Sequence, residues 1–346
     1  MLNVYKTDQT ARWDEAVQSF AMHDVYWTSG YPKAFAAESG ETPLLFHYED
    51  GCGLRGINAV MLRDVAKDPR FAGKLREGEY YDLTTPYGYG GWLIEGGNPE
   101  PLFAAYEDWC KQHRIVTEFI RFHPMLRNHE ACEKAYQVVE LGEVVHIDLS
   151  SPEAVWAQMT SKNRNMIRKA EKCGLTVKMG SDQALFERFR VIYEQTMDFK
   201  HAKKLYYFTP EFYRSVQEDL AGKAMIFYVE QQDGTIPAAS MILRENGWLN
   251  YHLSGSLRSP EAPAANNLLL YRVSLWGVEQ GCRSFYLGGG VGSGTDSLLL
   301  FKKSFQRGPL RHFYIGKKIF DPRACEELSA LRTELPETGY FPRYRA

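Results

Sequence analysis

Residues 285–305 read FYLGGGVGSGTDSLLLFKKSF, which predicts a strand, a glycine-rich segment and a helix in succession. The apolar residues before the glycines predict a strand, and the glycine triplet predicts a place where another chain or a ligand approaches the backbone closely. A helix is predicted over 296–306, on which Phe301 and Phe305 lie four residues apart and share one face. These two rings would anchor the helix and leave one of its lysines, Lys302 or Lys303, to point elsewhere.

The segments around this stretch alternate strands and helices. Strands are predicted over 175–179, 224–231, 237–243, 249–254, 284–287 and 310–316, with turn sequences such as Asp233-Gly234 between them. Helices are predicted over 183–200, 209–220 and 264–280. Another begins at Ser151-Pro152-Glu153 and continues to Lys172, because Ser is a good cap and Pro and Glu suit the first turn. Strands followed by helices that pack on a mixed sheet indicate an α/β (α+β) protein.

The first half of the chain follows the same order. Helices are predicted over 13–20, 28–37 and 101–114, and strands over 43–48, 54–62, 80–85, 117–123 and 143–149. A length of 346 residues is typical of two domains rather than one. The sequence therefore predicts two domains of one architecture, 1–149 and 150–346, each a mixed β-sheet flanked by helices.

Composition excludes several classes of protein. With 41 Lys plus Arg against 43 Asp plus Glu, the net charge is -2, which argues against a dedicated non-specific nucleic-acid binder. No run reaches the roughly 20 apolar residues of a membrane span, and the first residues lack the apolar core of a signal peptide. The six cysteines form no CxxC pair and the nine histidines no HExxH motif. We therefore expect a cytoplasmic protein with no metal site and no bound cofactor.

Two clusters of basic residues could bind phosphate. Arg164, Arg168 and Lys172 are four residues apart and share one face of the predicted helix, where arginine can pair with phosphate oxygens. The alternative is a solvated helix face, the commoner reason for a run of charge. The second cluster, around Lys200 in the segment KHAKKLYYF at 200–208, mixes cations with aromatic residues. It has the same alternative, a solvated helix end.

A glycine- and tyrosine-rich loop stands out in the first half. Residues 81–91 read YDLTTPYGYGG, which places Asp82 and Tyr87 beside each other in a strand-to-loop passage. Aromatic rings and a carboxylate around a glycine loop suit a sugar, peptide or nucleotide ligand. The alternative is a surface turn with packed tyrosines. In the second half, YHLSGS at 251–256 leads through a loop of small residues into a helix N-terminus, which suits an anion or a developing oxyanion, or is an ordinary strand-to-helix turn.

Four of these motifs, in this order, resemble those of one family. They are NRNMIRKAEKCGL at 163–175, YHLSGS at 251–256, FYLGGG at 285–290 and FKKSF at 301–305. Together they make the chain similar to the FemABX-like aminoacyltransferases of the GNAT acetyltransferase superfamily. Because no heptad run interrupts the second half, the chain resembles the FemX type, which lacks the coiled-coil arm. The resemblance covers most of the chain and is strongest from about 150 to 316.

The resemblance implies two tandem GNAT-like domains with a cleft between them. It implies a peptidoglycan cell-wall enzyme that transfers an amino acid from aminoacyl-tRNA to the amine of a small or UDP-linked peptide acceptor, acting as a monomer. It maps Phe301 and Lys302 onto the essential Phe-Lys pair of the family and Tyr251 onto a substrate-side tyrosine. The diphosphate-binding arginine of the family has no counterpart, and its region holds Lys200 instead. The attacking amine also needs a base, for which Asp82 is a candidate.

Two alternatives to this function remain open at the level of sequence. One is an acyl-CoA-dependent N-acyltransferase that acts on an amino sugar or a peptide. Such enzymes carry a glycine-rich pyrophosphate loop, whereas residues 258–265 here read RSPEAPAA, with Pro260 and Pro263 removing two backbone donors. The other is a non-catalytic binding module. No activated Ser or Cys is evident, so the expected chemistry is direct attack of an amine on an activated ester, with Lys302 stabilising the oxyanion or holding a phosphate of the donor.

Overall fold

A computed structural model describes residues 1–257, 259–332, 334–335 and 339–346. The chain forms two compact units, of which one consists of Met1–Leu141 together with Phe313–Ala346 and the other of Gly142–His312. This division differs from the predicted one at 149/150, because the last strand and the C-terminal helix belong to the first unit. Local patterns show where these elements are and not which sheet they join.

The first unit is built on a mixed sheet. Its strands are β1 (Leu2–Tyr5), β2 (Thr42–Glu49), β3 (Arg55–Asp64), β4 (Tyr81–Thr84), β5 (Leu93–Glu95), β6 (Ile115–Arg121), the first part of β7 (Gln137–Asp148), and β13 (Arg311–Ile319). The order is β1-β2-β3-β4-β6-β13-β7, and β5 pairs with β3. Strands β4 and β6 are parallel, while the pairs formed by β1, β2 and β3 are antiparallel. Its helices are α1 (Thr10–Gln18), α2 (Gly30–Ser39), α3 (Glu100–Gln112) and α10 (Pro322–Ala330).

Aromatic packing forms the core of this unit. Helix α3 carries Leu102, Phe103, Tyr106 and Cys110 on its buried face, as the helical spacing predicts. The ring of Tyr106 meets those of Phe46 and Trp92 edge to face, with centroids 4.8 and 4.9 Å away. Such pairs add to the stabilisation that comes from burying the rings.

The second unit holds a second mixed sheet. Its strands are the last part of β7, β8 (Thr176–Gly180), β9 (Ala224–Glu230), β10 (Ala238–Glu245), β11 (Trp248–Ser256) and β12 (Ser284–Gly288), in the order β7-β12-β11-β10-β9-β8. Strands β11 and β12 are parallel and the other pairs antiparallel. Its helices are α4 (Pro152–Ala157), α5 (Ser161–Lys172), α6 (Gln183–Phe199), α7 (Pro210–Asp219), α8 (Ala265–Glu279) and α9 (Ser297–Lys303). The predicted α/β class with a mixed sheet is confirmed.

The long helix predicted from Ser151 to Lys172 is wrong, because the structure has two helices there. Ser151 caps α4, and its hydroxyl accepts a hydrogen bond from the Ala154 amide as predicted. Thr160, however, adopts an extended backbone and its side chain accepts from the Asn163 amide, so that it caps a new helix, α5. Nothing in the apolar spacing marks this break. No helix within the described ranges is both long and apolar enough to cross a membrane.

Candidate active site

Strands β11 and β12 pair over only three residues, Trp248–Asn250 with Ser284–Tyr286. The pairing of β11 with β10 shifts by one residue, since Tyr251 faces Ile242 and Leu253 faces Met241. His252 is therefore the extra residue of a β-bulge. Because the bulge resets the alternation, the side chains of Tyr251 and Ser254 emerge on one face of the sheet. Strands β11 and β12 are therefore no longer paired beyond Asn250, and Tyr251 is the first residue of β11 past the paired stretch.

Each glycine of the triplet 288–290, which begins at the last residue of β12, is required for a separate reason. Gly288 has a φ of +80°, and a Cβ there would lie 3.3 Å from Nζ of Lys302. A Cβ on Gly289 would come 2.8 Å from the Glu143 carbonyl oxygen. A Cβ on Gly290 would collide with the Gly294 carbonyl and the Asp296 carboxylate. The close approach predicted from the triplet is confirmed, and two of the approaching groups come from α9 and its cap.

Helix α9 is held in place at both ends. The carboxylate of Asp296 accepts hydrogen bonds from the amides of Leu299 at 2.8 Å and Val291 at 3.1 Å, which caps the helix. Further along, the rings of Phe301 and Phe305 meet edge to face at 5.4 Å, and Phe305 is fully buried. The predicted anchoring by this pair is confirmed. It directs Lys302 into the protein, where only 7% of the residue is exposed.

The buried ammonium of Lys302 is the centre of the candidate site. Its Nζ donates to the Gly289 carbonyl oxygen at 2.7 Å and lies 6.0 Å from the centre of the Tyr251 ring. Within the described part of the chain this carbonyl is its one hydrogen-bond acceptor. A lysine ammonium carries three donors, so two N–H groups are available to a ligand. Lys303 instead forms an ion pair with Glu143 at 2.5 Å.

Burial sets the electrostatics of this group. It lowers the pKa of Lys302 from 10.5 to about 8; the carboxylate of Asp296 opposes the shift and the ammonium of Lys200 adds to it. At neutral pH the group is therefore a cation that is unusually short of solvent. Backbone hydrogen bonds outweigh the effect of burial at Asp296 and lower the pKa of that carboxyl, so it stays ionised. Lys200 follows the last residue of α6, which places this predicted residue within electrostatic reach of Lys302.

The hydroxyl of Tyr251 lies beside two serine hydroxyls. Burial raises the pKa of Tyr251, while hydrogen bonding with Ser254 and Ser240 acts in the opposite direction. The hydroxyl of Ser240 donates to that of Ser254 at 3.0 Å. Sequence reasoning missed Ser240, because it lies on β10, and only the pairing of β10 with β11 brings it to the site.

Residues 254–256 do not belong to the small-residue loop predicted between the strand and the next helix. These residues belong to β11, and a Cβ on Gly255 would lie 2.8 Å from the Ile192 carbonyl of α6. The Ser256 amide donates to the Thr196 hydroxyl at 2.8 Å. The glycine therefore allows α6 to pack on the strand, and the amide of Ser256 is already used. Arg258 lies outside the described residues.

Comparison with known proteins identifies the fold. Residues 158–294 match the family model of the acetyltransferase (GNAT) domain. Over the whole chain the structure is similar to that of FemX, with a TM-score of 0.67 and 11% identity, covering 90% of this chain and 96% of that one. This chain has a FemABX-like GNAT fold. The fold that the resemblance implies is thereby confirmed, and the residues that match the GNAT model lie in the second unit.

Two further structures share the FemABX-like fold. One is L-PGS from Bacillus licheniformis, with a TM-score of 0.58, 14% identity, and coverage of 93% of this chain and 96% of that one. The other is a tandem GNAT protein from the clavulanic acid biosynthesis pathway, with a TM-score of 0.51, 8% identity, and coverage of 93% and 99%. No curated protein sequence matches the chain. At these identities the structures establish the fold and leave the substrates open.

Helix α5, the predicted basic helix, offers fewer arginine side chains to a ligand than the sequence predicted. The guanidinium of Arg164 donates to the carbonyls of Met159 at 2.7 Å and Trp156 at 3.4 Å, at the end of α4. That of Arg168 lies over the Trp156 ring at 5.1 Å and is exposed. Arg164 therefore links two helices, and Arg168 is the residue of the two that a ligand could reach. Phosphate binding on this face stays a prediction.

The first unit holds the other two predicted residues. Tyr87 is part of a packed aromatic group, since the Tyr31 hydroxyl donates to its carbonyl at 2.5 Å and its ring stacks on Phe35 at 5.8 Å. Asp82 is fully buried, and its carboxylate accepts from Arg63 at 2.6 Å and Arg345 at 2.5 Å. The side chain of Asp82 has no exposed surface and is held by two guanidinium groups, which argues against its contact with a substrate amine. A role of Asp82 as general base stays a prediction.

Replacing Gly288 by Ala should perturb the site through the Lys302 ammonium. The new Cβ meets Nζ at 3.3 Å and the backbone stays at positive φ, which disfavours any L side chain. We expect a loss of about 1 kcal/mol of stability from the backbone and a further loss of transfer activity from displacement of the ammonium.

The matched control for this prediction is Gly292→Ala. Gly292 also has a positive φ, +61°, but a Cβ there meets nothing within 4 Å. Urea unfolding and transfer rates should therefore show similar losses of stability in both variants and a loss of rate in Gly288→Ala alone. Equal transfer rates in the two variants would show that displacement of the Lys302 ammonium does not affect transfer.

Proposed function

We propose that this protein is an N-acyltransferase that joins the acyl group of an activated ester to an amine, with the reacting carbonyl oxygen held by Lys302. The observation that carries this proposal is the buried, positively charged Nζ of Lys302, held by Gly289 at the end of β12 and directed toward Tyr251. A desolvated donor of this kind stabilises a developing oxyanion more strongly than one in water.

The reaction has two steps. The amine nitrogen forms a bond to the ester carbonyl carbon, and the carbonyl oxygen becomes an oxyanion that accepts hydrogen bonds from the two free N–H groups of Lys302. The oxyanion then re-forms the carbonyl, and the ester oxygen leaves as the hydroxyl of the donor with the proton that the amine loses. Holding both substrates in line contributes several kcal/mol through proximity. The hydroxyls of Tyr251, Ser254 and Ser240 would orient the acyl group.

Aminoacyl-tRNA is the donor that the chain favours over acyl-CoA. The segment 259–264 precedes α8, where acyl-CoA enzymes bind pyrophosphate through backbone amides. Pro260 and Pro263 have no amide hydrogen, and the Ala262 amide donates to the Ser259 carbonyl at 3.2 Å. Three of these amides are thus missing or engaged. An aminoacyl ester, by contrast, needs only its carbonyl and terminal phosphate held, and Lys200 and Lys302 supply the cations.

Further details follow from the family resemblance. The acceptor would be the amine of a small or UDP-linked peptide, and the product a peptidoglycan precursor made in the cytoplasm by a monomeric enzyme. Arg168 and Lys200 are the exposed cations suited to phosphate groups. The reaction as written requires no metal, and among the described residues no three His, Cys, Asp or Glu side chains form a metal-binding group.

A direct comparison of donors tests the proposal. The purified chain would be incubated with a UDP-linked muropeptide and either a mixture of radiolabelled aminoacyl-tRNAs or radiolabelled acetyl-CoA, and label in the peptide counted. We expect transfer from aminoacyl-tRNA. Thermal-shift titration with acetyl-CoA and with a non-hydrolysable CCA-aminoacyl analogue gives an independent readout, because a ligand stabilises only a state that it binds.

Each other outcome rejects part of the proposal. Transfer from acetyl-CoA alone would identify an acyl-CoA-dependent N-acyltransferase and reject the tRNA donor. Stabilisation by both substrates without transfer of label from either would identify a non-catalytic binding module and reject catalysis by Lys302.

A further inference from the structure

The first unit contains a large cavity at the end of its sheet away from the tyrosine-rich loop. Its volume is about 1190 Å³. The residues that line it include Tyr81 and Ile115, the first residues of the parallel strands β4 and β6. The loop with Tyr87 follows the last residue of β4 and so lies at the opposite edge. The cavity is therefore at the opposite edge from Tyr87, and its lining includes none of the residues of the Lys302 site.

Acidic side chains at this cavity are already occupied by the protein. Asp64 accepts hydrogen bonds from the amides of Ala66 at 3.0 Å and Gly78 at 2.7 Å. Asp68 accepts from Arg70 at 2.6 Å and from Arg345 at 3.0 Å. Behind the wall, Asp82 is held by Arg63 and Arg345, as described above. Asp68 and Asp82 are thus paired with guanidinium groups, and Asp64 is held by backbone amides.

Basic side chains at the cavity, in contrast, keep unused donors. Arg345 is nine-tenths buried, and its Nη2 has no acceptor within the described part of the chain. Arg63 uses its Nε on Asp82, and no acceptor for its two terminal nitrogens is found among the described residues. Lys67 and Arg114 also line the cavity and form no ion pair with any described residue. A guanidinium N–H without an acceptor is costly, and an oxyanion in the cavity would supply one to Arg63. Nη2 of Arg345 is sealed from solvent and lies out of reach of such a ligand.

Two other acidic groups complete the balance of charge. Glu41 directly precedes β2, at the position opposite Arg63 of β3, and lies outside ion-pair distance of that arginine. Burial raises the pKa of Glu41, and the positive charges of Arg63 and Arg345 act against this shift. Glu77 is exposed at the rim. The lining thus holds Lys6, Arg63, Lys67, Arg70, Arg114 and Arg345 against Glu41, Asp64, Asp68 and Glu77, and the ring of His113 also lines it. With Asp82 behind the wall the surplus is one positive charge, so the donors without acceptors, rather than the net charge, favour an anion.

One wall of the cavity is aromatic. The Trp109 indole and the His113 ring are stacked, with centroids 3.9 Å apart and planes within 12°. Leu44 and Leu62 add apolar surface beside them. Such a wall suits the planar body of an organic molecule, and the guanidinium groups suit its charged end.

We propose that this cavity is a second binding site, which takes a small organic anion whose carboxylate or phosphate pairs with Arg63, with Lys67 and Arg114 as further cations of the lining, and whose planar body lies against the stacked rings of Trp109 and His113. This site is independent of acyl transfer, because its residues are distinct from Lys302 and its neighbours. Its ligand differs from the proposed substrates by requiring no ester and no amine.

The experiment titrates the full chain with benzoate, phenyl phosphate and inorganic phosphate by isothermal calorimetry at low salt. Benzoate and phenyl phosphate should both bind if any oxyanion on a flat body suffices, and inorganic phosphate should bind at least tenfold more weakly, since it lacks the aromatic contact. Binding by one aromatic probe alone identifies that headgroup as the one selected. The affinity should fall as salt rises.

Variants connect the binding to these side chains. Arg63→Gln should weaken binding by about tenfold or more, as expected for a lost charge-assisted hydrogen bond. Because Arg63 also supports Asp82 and its loss could unfold the unit, Lys67→Gln with Arg114→Gln is the second test, on exposed residues without ion pairs. Arg76→Gln, an exposed arginine outside the lining, is the matched control.

The proposal is overturned if no probe binds at 10-millimolar order of concentration, where even weak small-ligand sites are occupied. It is also overturned if the Lys67–Arg114 double variant binds as well as the Arg76 control. Transfer activity is measured on the same samples, so that a failure here stays distinct from a failure of the proposed function.

Discussion

Replacement of Lys302 by Met is expected to lower the rate of acyl transfer by about 100- to 1000-fold, the effect of removing one donor to an oxyanion. Met keeps the length and apolar stem of the side chain and removes only the charge and its N–H groups. The change should appear in kcat rather than in KM, because the hydrogen bond strengthens as negative charge develops on the carbonyl oxygen. Steady-state transfer assays with saturating donor would measure it.

The same substitution should leave the fold at least as stable at neutral pH. Burial lowers the pKa of Lys302 to about 8 in the folded state, whereas an unfolded lysine keeps about 10.4. Between these values the unfolded chain binds a proton that the folded chain has lost, so stability rises with pH across this window. Below about pH 8 the folded protein therefore carries a cost of roughly 3 kcal/mol, which Met removes. Loss of the bond to Gly289 offsets about 1 kcal/mol.

Urea unfolding at pH 7 and pH 10 would separate these contributions. The wild-type chain should gain stability relative to the Lys302→Met variant as pH rises between the two values. Lys303→Met is the matched control, since Lys303 makes only a partly exposed ion pair with Glu143, and such pairs contribute about 1 kcal/mol or less. Near-normal transfer by the Lys302→Met variant would remove this residue from the mechanism. A stability difference independent of pH would contradict the buried charge.

Local sequence signals predicted the parts of the site that are close in the chain. Asp296 caps a helix three residues before Leu299, and Phe301 anchors the same helix one turn before Phe305, so both could be read from spacing. The glycine triplet indicated a close approach, but the approaching groups could not be read, because Glu143 is distant in sequence.

Contacts between distant segments could not be predicted in the same way. Ser240 reaches Tyr251 only through the register of β10 with β11, and the bulge at His252 has no distinctive residue that announces it. The return of Phe313–Ala346 to the first unit likewise depends on pairing with β6, from Ile315 to Ile319. Strand propensity locates a strand and leaves its partner open.

Asp82 shows the largest consequence of such a distant contact. From the sequence it is a carboxylate beside a glycine loop, and its two strongest partners are invisible because Arg63 belongs to another strand and Arg345 is 263 positions away. In the structure its Oδ1 accepts from Arg63, and its Oδ2 accepts from Arg345 and, at 3.0 Å, from the Tyr344 hydroxyl. Arg345 also binds Asp68 at 3.0 Å. Asp82 therefore joins β3, β4 and the C-terminal segment.

Replacement of Asp82 by Asn is expected to lower the free energy of unfolding by about 3–5 kcal/mol, because it leaves Arg63 without its charge partner and Arg345 with Asp68 alone, in a buried place. Urea unfolding at pH 7 would measure the loss. Asp108→Asn is the matched control, since Asp108 is exposed on α3, and a surface change of this kind stays within about 0.5 kcal/mol.

The transfer rate distinguishes this structural role from the catalytic one that the sequence suggested. If Asp82 only supports the first unit, the rate per folded molecule should match the wild type at a temperature where Asp82→Asn remains folded. Its pH profile should also be unchanged, since no acid–base group of the reaction has been removed. A variant with wild-type stability and a rate lowered by a factor of about 100 or more, the usual effect of losing a general base, would reverse this assignment. The contacts of Asp82 with Arg63 and Arg345 would then orient a general base rather than stabilise the fold.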